Sequence, residues 1–190
     1  VATERRTALA DAAVTVLAEE GMRGLTHRAV DRAAGLPPGT TSAYHRTRQA
    51  LLTALVRRLV ELDQAELQAA GEALPMPRTP GELTDALTDF IAQRLTGPAR
   101  TRTLARYICT VESVRHPELR AILTPHDNAA HTAVRTFLSD HGVPDPAGRT
   151  LTLLYCVDGL VFSGLATGRR VAREEVEGLV VAALRGADPV

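Results

Sequence analysis

Residues 26–48 read Thr-His-Arg-Ala-Val-Asp-Arg-Ala-Ala-Gly-Leu-Pro-Pro-Gly-Thr-Thr-Ser-Ala-Tyr-His-Arg-Thr-Arg, a stretch dense in hydroxyls and guanidinium groups. Such groups offer hydrogen bonds rather than bond-making chemistry, and they suit phosphate oxygens, base edges and thymine methyls. Thr40, Thr41, Ser42 and Tyr44 are expected to face outward and reach them, with Pro38 at the entry and Arg28 and Arg48 on the flanks. Thr26 and Thr47 precede helix starts whose backbone N–H groups can hold phosphate. His27 is expected at the surface of this region and His45 in its packing.

Other chemistries find little support. The sequence has no G-x-S-x-G, no phosphate-cradling glycine loop and no H-E-x-x-H. Gly159-Leu-Val-Phe-Ser163-Gly164 misses the nucleophile spacing and reads as mid-helix. His126, Asp127 and His131 could in part share a helix face, but such residues after a loop read as a solvated surface. No metal or cofactor is expected. Cys109 and Cys156 lie far apart, belong to no C-x-x-C pair, and read as two small buried hydrophobes. His116 and His141 fall at helix ends, where a cation suits the dipole.

The elements that must position these residues are helical, since apolar residues recur with the helical period and alternating β-branched runs are absent. Leu9, Ala12, Ala13, Val16 and Leu17 make one face, stopped by Gly21. A short helix from Thr26 to about Ala34 turns its small residues Ala29 and Ala33 inward, and Leu36 returns to the core. Pro37-Pro38-Gly39 admits another short helix through about His45, and Thr47 caps a long fourth one. Small residues and a tight turn let the second short helix protrude toward a major groove.

Beyond the breaker at 74–80, Thr79-Pro80-Gly81-Glu82 carries an N-cap, a first-turn Pro and a capping-box Glu. Further breaks fall at Gly97-Pro98, His116-Pro117 and 141–146, and Thr124-Pro125 is expected to kink or interrupt its helix. A long apolar helix over about 147–167 and an amphipathic one through Leu184 close the chain. The expectation is all-α, with about nine helices.

Charge sharpens the division. Residues 1–58 hold nine Arg against five acids, a net +4, whereas the remainder carries −4. A basic head on an acidic body suggests that the head meets an anion, nucleic acid above all. The polar N-terminus has no signal-peptide pattern and no apolar run reaches about 18 residues, so the expected location is cytoplasmic, with no membrane partner. The sequence starts at Val1 without Met, which leaves room for a preceding basic arm. A helical enzyme and a protein-interaction module are the competing classes. The missing motifs weigh against the first, and the basic head against the second.

The order Gly21-x-x-Gly24-Leu25-Thr26, Val30-x-x-Ala33-x-Gly35-Leu36, Gly39-Thr40-Thr41-Ser42-Ala43-Tyr44-His45 and Thr47-Arg48-x-Ala50-Leu51-Leu52 resembles the TetR family over roughly residues 5–58. The chain departs from the family pattern at Ser42 (usually Tyr), His45 (usually Phe or similar) and Arg48 (usually Lys). The resemblance implies a transcriptional regulator, not an enzyme, built as a homodimer. A three-helix helix-turn-helix head, residues 1–46, is joined by the long fourth helix to a body, 47–190, for ligand binding and dimerisation. It implies a repressor released from a palindromic DNA operator when a small-molecule effector binds the body. The last two helices would supply the dimer interface, with Val157, Val161, Gly164 and Gly168 on one and Val176, Val180 and Leu184 on the other. Tyr155, Asp158 and Phe162 would look into the body. Phe90, Arg94, Tyr107 and Thr110 are further inward-facing candidates for a ligand pocket.

Overall fold

Every regular element of the computed structural model, which describes residues 2–73, 76–123 and 129–185, is an α-helix. In chain order these are α1 (Ala2–Gly24), α2 (His27–Ala33), α3 (Thr40–Tyr44), α4 (Arg48–Ala73), α5 (Pro80–Arg94), α6 (Gly97–Glu112), α7 (Pro117–Leu123), α8 (Ala129–Asp140), α9 (Pro146–Thr167) and α10 (Arg173–Leu184). Ten helices among the described residues replace the expected nine, because the segment after His116 forms both α7 and α8. Thr124, Pro125, His126 and Asp127 lie outside the described residues, and His131 is half-buried on α8. The chain divides into two compact units, residues 1–65 with 98–125 and residues 66–97 with 126–190.

In the first unit, Leu9, Ala13, Val16 and Leu17 of α1 pack with Leu25, Val30 and the α4 residues Leu51, Leu55 and Leu59. Ala105 and Cys109 of α6 and Leu119 and Leu123 of α7 complete the same core. Each fully buried Leu stabilises this unit by roughly 1.5–3 kcal/mol relative to exposure. Gly21 takes φ 69° and ψ −174°, a backbone open in practice only to glycine, and breaks α1 there. Arg58 ties α4 to α1 through two hydrogen bonds to the Asp11 carboxylate, at 2.7 and 3.3 Å. Arg106 reaches from α6 to Asp63 on α4. Burial of Cys109, with Glu112 beside it, pushes its thiol up to about 12 against the opposing pull of Arg106. His116, between α6 and α7, sits 3.3 Å from both Glu112 and Glu118. Ala33, expected inward with Ala29, is exposed.

The second unit is organised around α9, which packs against α5, α8 and α10. Its buried face is Thr150, Leu153, Val157, Val161 and Gly164. Against it stand Leu83, Leu87 and Ile91, then Val134, Phe137 and Leu138, then Val176, Val180 and Ala183. The caps are local: Thr79 accepts from Glu82 N at 3.2 Å, Glu82 accepts from Arg78 N at 2.7 Å, and Asp145 accepts from Gly148 N at 3.1 Å. Gly168, at φ 73°, ends α9 by donating to Gly164 O. His141 donates Nδ1–H to Phe137 O at the end of α8. Cys156, expected to be buried, is exposed, because the α9 face it occupies points away from this core.

Helix α9 is long and apolar enough, with a mean hydropathy of 1.4 over its best window, to cross a membrane by length and composition. Its buried face closes on three helices of its own unit, while the rest of the helix is exposed or half-buried.

A Cβ placed on Gly164 would lie 2.6 Å from Leu95 Cδ1. Gly164→Leu is therefore expected to overpack this unit and lower its stability by about 1–3 kcal/mol. A denaturation midpoint equal to wild type would contradict that packing.

Candidate nucleic-acid interface

The head residues converge through α2 and α3. Thr26 caps α2 by accepting from Ala29 N at 3.2 Å, and Thr47 caps α4 by accepting from Ala50 N at 3.0 Å. Each threonine sets a helix start and satisfies a donor the helix leaves open. Between them Gly39, at φ 93°, turns the chain into α3 in a conformation that favours glycine.

Asp31 holds this turn from the inside. Its buried carboxylate accepts from Gly39 N at 2.8 Å through Oδ2, and from Thr41 N at 2.7 Å and Thr41 Oγ1 at 2.6 Å through Oδ1. Burial opposes its ionisation, but the bonds from Thr41 and Gly39, with His27 nearby, outweigh it and hold Asp31 below the ordinary carboxylate value. At the far end of α3, His27 donates Nε2–H to His45 O at 2.6 Å. The His45 ring is buried, with no hydrogen-bond partner for Nε2 among the described residues. Burial first, then the charges of Arg6 and His27, keep it below the ordinary histidine value and therefore neutral.

Thr41 is thus not an outward group: its hydroxyl and amide are consumed by Asp31, and the side chain is fully buried. Ser42, Arg28 and Pro38 are exposed. Thr40 is half-buried and donates to Pro37 O at 2.7 Å, which leaves its oxygen lone pairs as acceptors. Tyr44 packs its ring on the head core, with the Arg6 guanidinium 5.8 Å above it. Arg48 is exposed but donates to the carbonyls of Leu25 and Met22, so its fork also ties α4 to the end of α1. Asp31 is the residue missed in the sequence, and its partners lie eight and ten positions downstream.

In the second unit burial along α9 runs opposite to the expected orientation of its two faces. Val157, Val161 and Gly164, with Val176 and Val180 of α10, expected at a dimer interface, are buried in the unit's own core. Leu184 is half-buried, and Gly168 is the exposed cap. Tyr155, Asp158 and Phe162, expected to look inward, lie exposed on the opposite side. Phe90 is half-buried under the Arg94 guanidinium, 4.9 Å from its ring centroid, and Arg94 is buried. In the first unit Tyr107 is half-buried, whereas Thr110, expected inward, is exposed and donates to Arg106 O.

Residues 78–186, more than half of the chain, match the family described as Tetracyclin repressor-like, C-terminal domain. The chain belongs to the TetR family. A TetR-family member from Streptomyces coelicolor A3 is 27% identical over 96% of this chain and 99% of its own, with a TM-score of 0.71. The multidrug binding protein EbrR, solved with imidazole, is 28% identical over 95% of both chains, with a TM-score of 0.65. EbrR solved with proflavin is 25% identical over 94% of this chain and 99% of that one, at a TM-score of 0.60. No curated protein sequence matches. Membership makes the chain a DNA-binding transcriptional regulator of TetR type, and the α2–α3 pair is its helix-turn-helix.

Proposed function

We propose that the chain is a homodimeric repressor that holds a palindromic operator through residues 1–46 and is released by a small molecule bound within 47–190. The observation that carries this reading is α3, a five-residue helix mounted on α2 with Ser42 at the surface, in the part of the chain that carries net +4. Ser42 and Thr40 face base edges and phosphates, Arg28 and Arg48 add cationic contacts, and Thr26, His27, Pro38 and the half-buried Tyr44 border them. Thr41 is assigned to the structure of the head instead.

The effector is a small organic molecule, a reading supported by the likeness to EbrR, which has been solved with imidazole and with proflavin. Phe90 with Arg94, and separately Tyr107, are the half-buried or buried aromatic and cationic groups suited to such a ligand. The dimer forms through the exposed side of α9, where Leu151, Tyr155 and Phe162 recur at helical spacing. The protein acts in the cytoplasm, where its DNA lies, and performs no catalysis.

Selection of bound duplexes from random DNA tests this reading. A recovered palindrome, released on addition of proflavin or a related aromatic cation, is the expected result. Failure to enrich any sequence would contradict it.

A further inference from the structure

We propose that His27 and Asp31 form a two-ended clamp on α3 and are positioning residues for operator reading, an inference that rests on the DNA-reading function proposed above. A helix of five residues does not hold its own geometry in water. Its N-cap, Gly39, has no side chain to satisfy the first amides, and Asp31 supplies that cap from α2 through Gly39 N, Thr41 N and Thr41 Oγ1. At the other end His45 O takes the His27 Nε2 proton. His27 and Asp31 are four residues apart, so both project from one face of α2, and each engages one end of α3. The carboxylate meets the helix N-terminus and the imidazole N–H its C-terminus, so both ends also agree in sign with the peptide dipoles.

Two anchors at opposite ends fix tilt and rotation together. With one removed, α3 pivots about the other, and Thr40 and Ser42 shift relative to the groove. Base-edge hydrogen bonds depend on that placement, whereas phosphate contacts by flexible arginines tolerate a shift. The clamp therefore governs discrimination between sequences more than general affinity.

The test compares affinity for the selected palindrome with affinity for a random duplex of equal length. In Asp31→Asn the new amide N–H meets donors, so at most one side of the cap survives. The palindrome-to-random ratio should fall tenfold or more, while random-duplex affinity per folded protein and its salt slope stay within twofold. His27→Leu should lower the ratio severalfold, and His27→Gln, whose amide N–H can reach His45 O, should restore it to within about twofold. Because a reduced folded fraction weakens both affinities equally, the ratio is unmoved by loss of stability alone. An unchanged ratio in His27→Leu and in any folded Asp31→Asn would overturn the clamp. A wild-type ratio near one would instead overturn the DNA-reading assignment beneath it.

Discussion

Asp31→Ala is expected to destabilise the first unit by about 3 kcal/mol, since hydrogen bonds to a charged acceptor are lost and buried donors are left open. Thr41 N and Oγ1 would lose the buried acceptor they share, and the part-buried Gly39 N would lose Asp31 Oδ2. Urea denaturation at pH 7 measures the effect. A loss below about 0.5 kcal/mol, the size of an ordinary surface change, would show that the carboxylate does not hold the turn. The effect also has a definite pH dependence. The folded-state pKa of Asp31 lies below its ordinary 3.8, so its ionisation contributes stability that is present above that value. This contribution fades as pH falls through the folded pKa, and the gap between wild type and Asp31→Ala should narrow there. His45 acts in the same direction from a higher pH. Its pKa is depressed from 6.5, so protonation of the buried ring in the acid range weakens the head in both proteins alike.

Phe162→Arg should weaken self-association at least a hundredfold. Phe162 is 54% exposed, Tyr155 67% and Leu151 43%, and the three recur along one side of α9 while the opposite side fills the unit's core. In a two-fold dimer the substitution is felt twice, and burying an unpaired charge at one position already costs about 3–5 kcal/mol. Sedimentation equilibrium over a range of protein concentrations reads the change directly. The unit should stay folded, because Phe162 is more than half exposed and the buried face of α9 is untouched. A dimer of wild-type strength in Phe162→Arg would place the interface elsewhere. Dissociation in Gly164→Leu with the unit still well folded would return it to the buried face of α9.

What could be read from the sequence was local. Thr26, Thr47 and Thr79 cap the helices they precede, and Gly39 turns the chain where a positive φ is required. Caps and turns depend on residues within three or four positions, so their signals are written in the chain. The faces of α9 were not legible for the opposite reason. With Leu151, Tyr155 and Phe162 on one side and Leu153, Val157 and Val161 on the other, the helix is apolar nearly all round. Periodicity then cannot say which side meets the protein's own core. Asp31 was missed because its partners come from the next turn and helix. A buried carboxylate next to Val30 on a short helix was the one available hint. Thr41 was misassigned with it, since a hydroxyl on a short helix looks the same whether it faces DNA or an internal acceptor.

The most direct test of the regulator assignment is fluorescence anisotropy of the full chain on its selected palindrome and on a random duplex, at 50 and 200 mM salt. A DNA-reading head should prefer the palindrome clearly and lose affinity steeply with salt, by about 0.9 log units per log unit of salt for each phosphate contacted. Binding that is equal on both duplexes, or insensitive to salt, would contradict it.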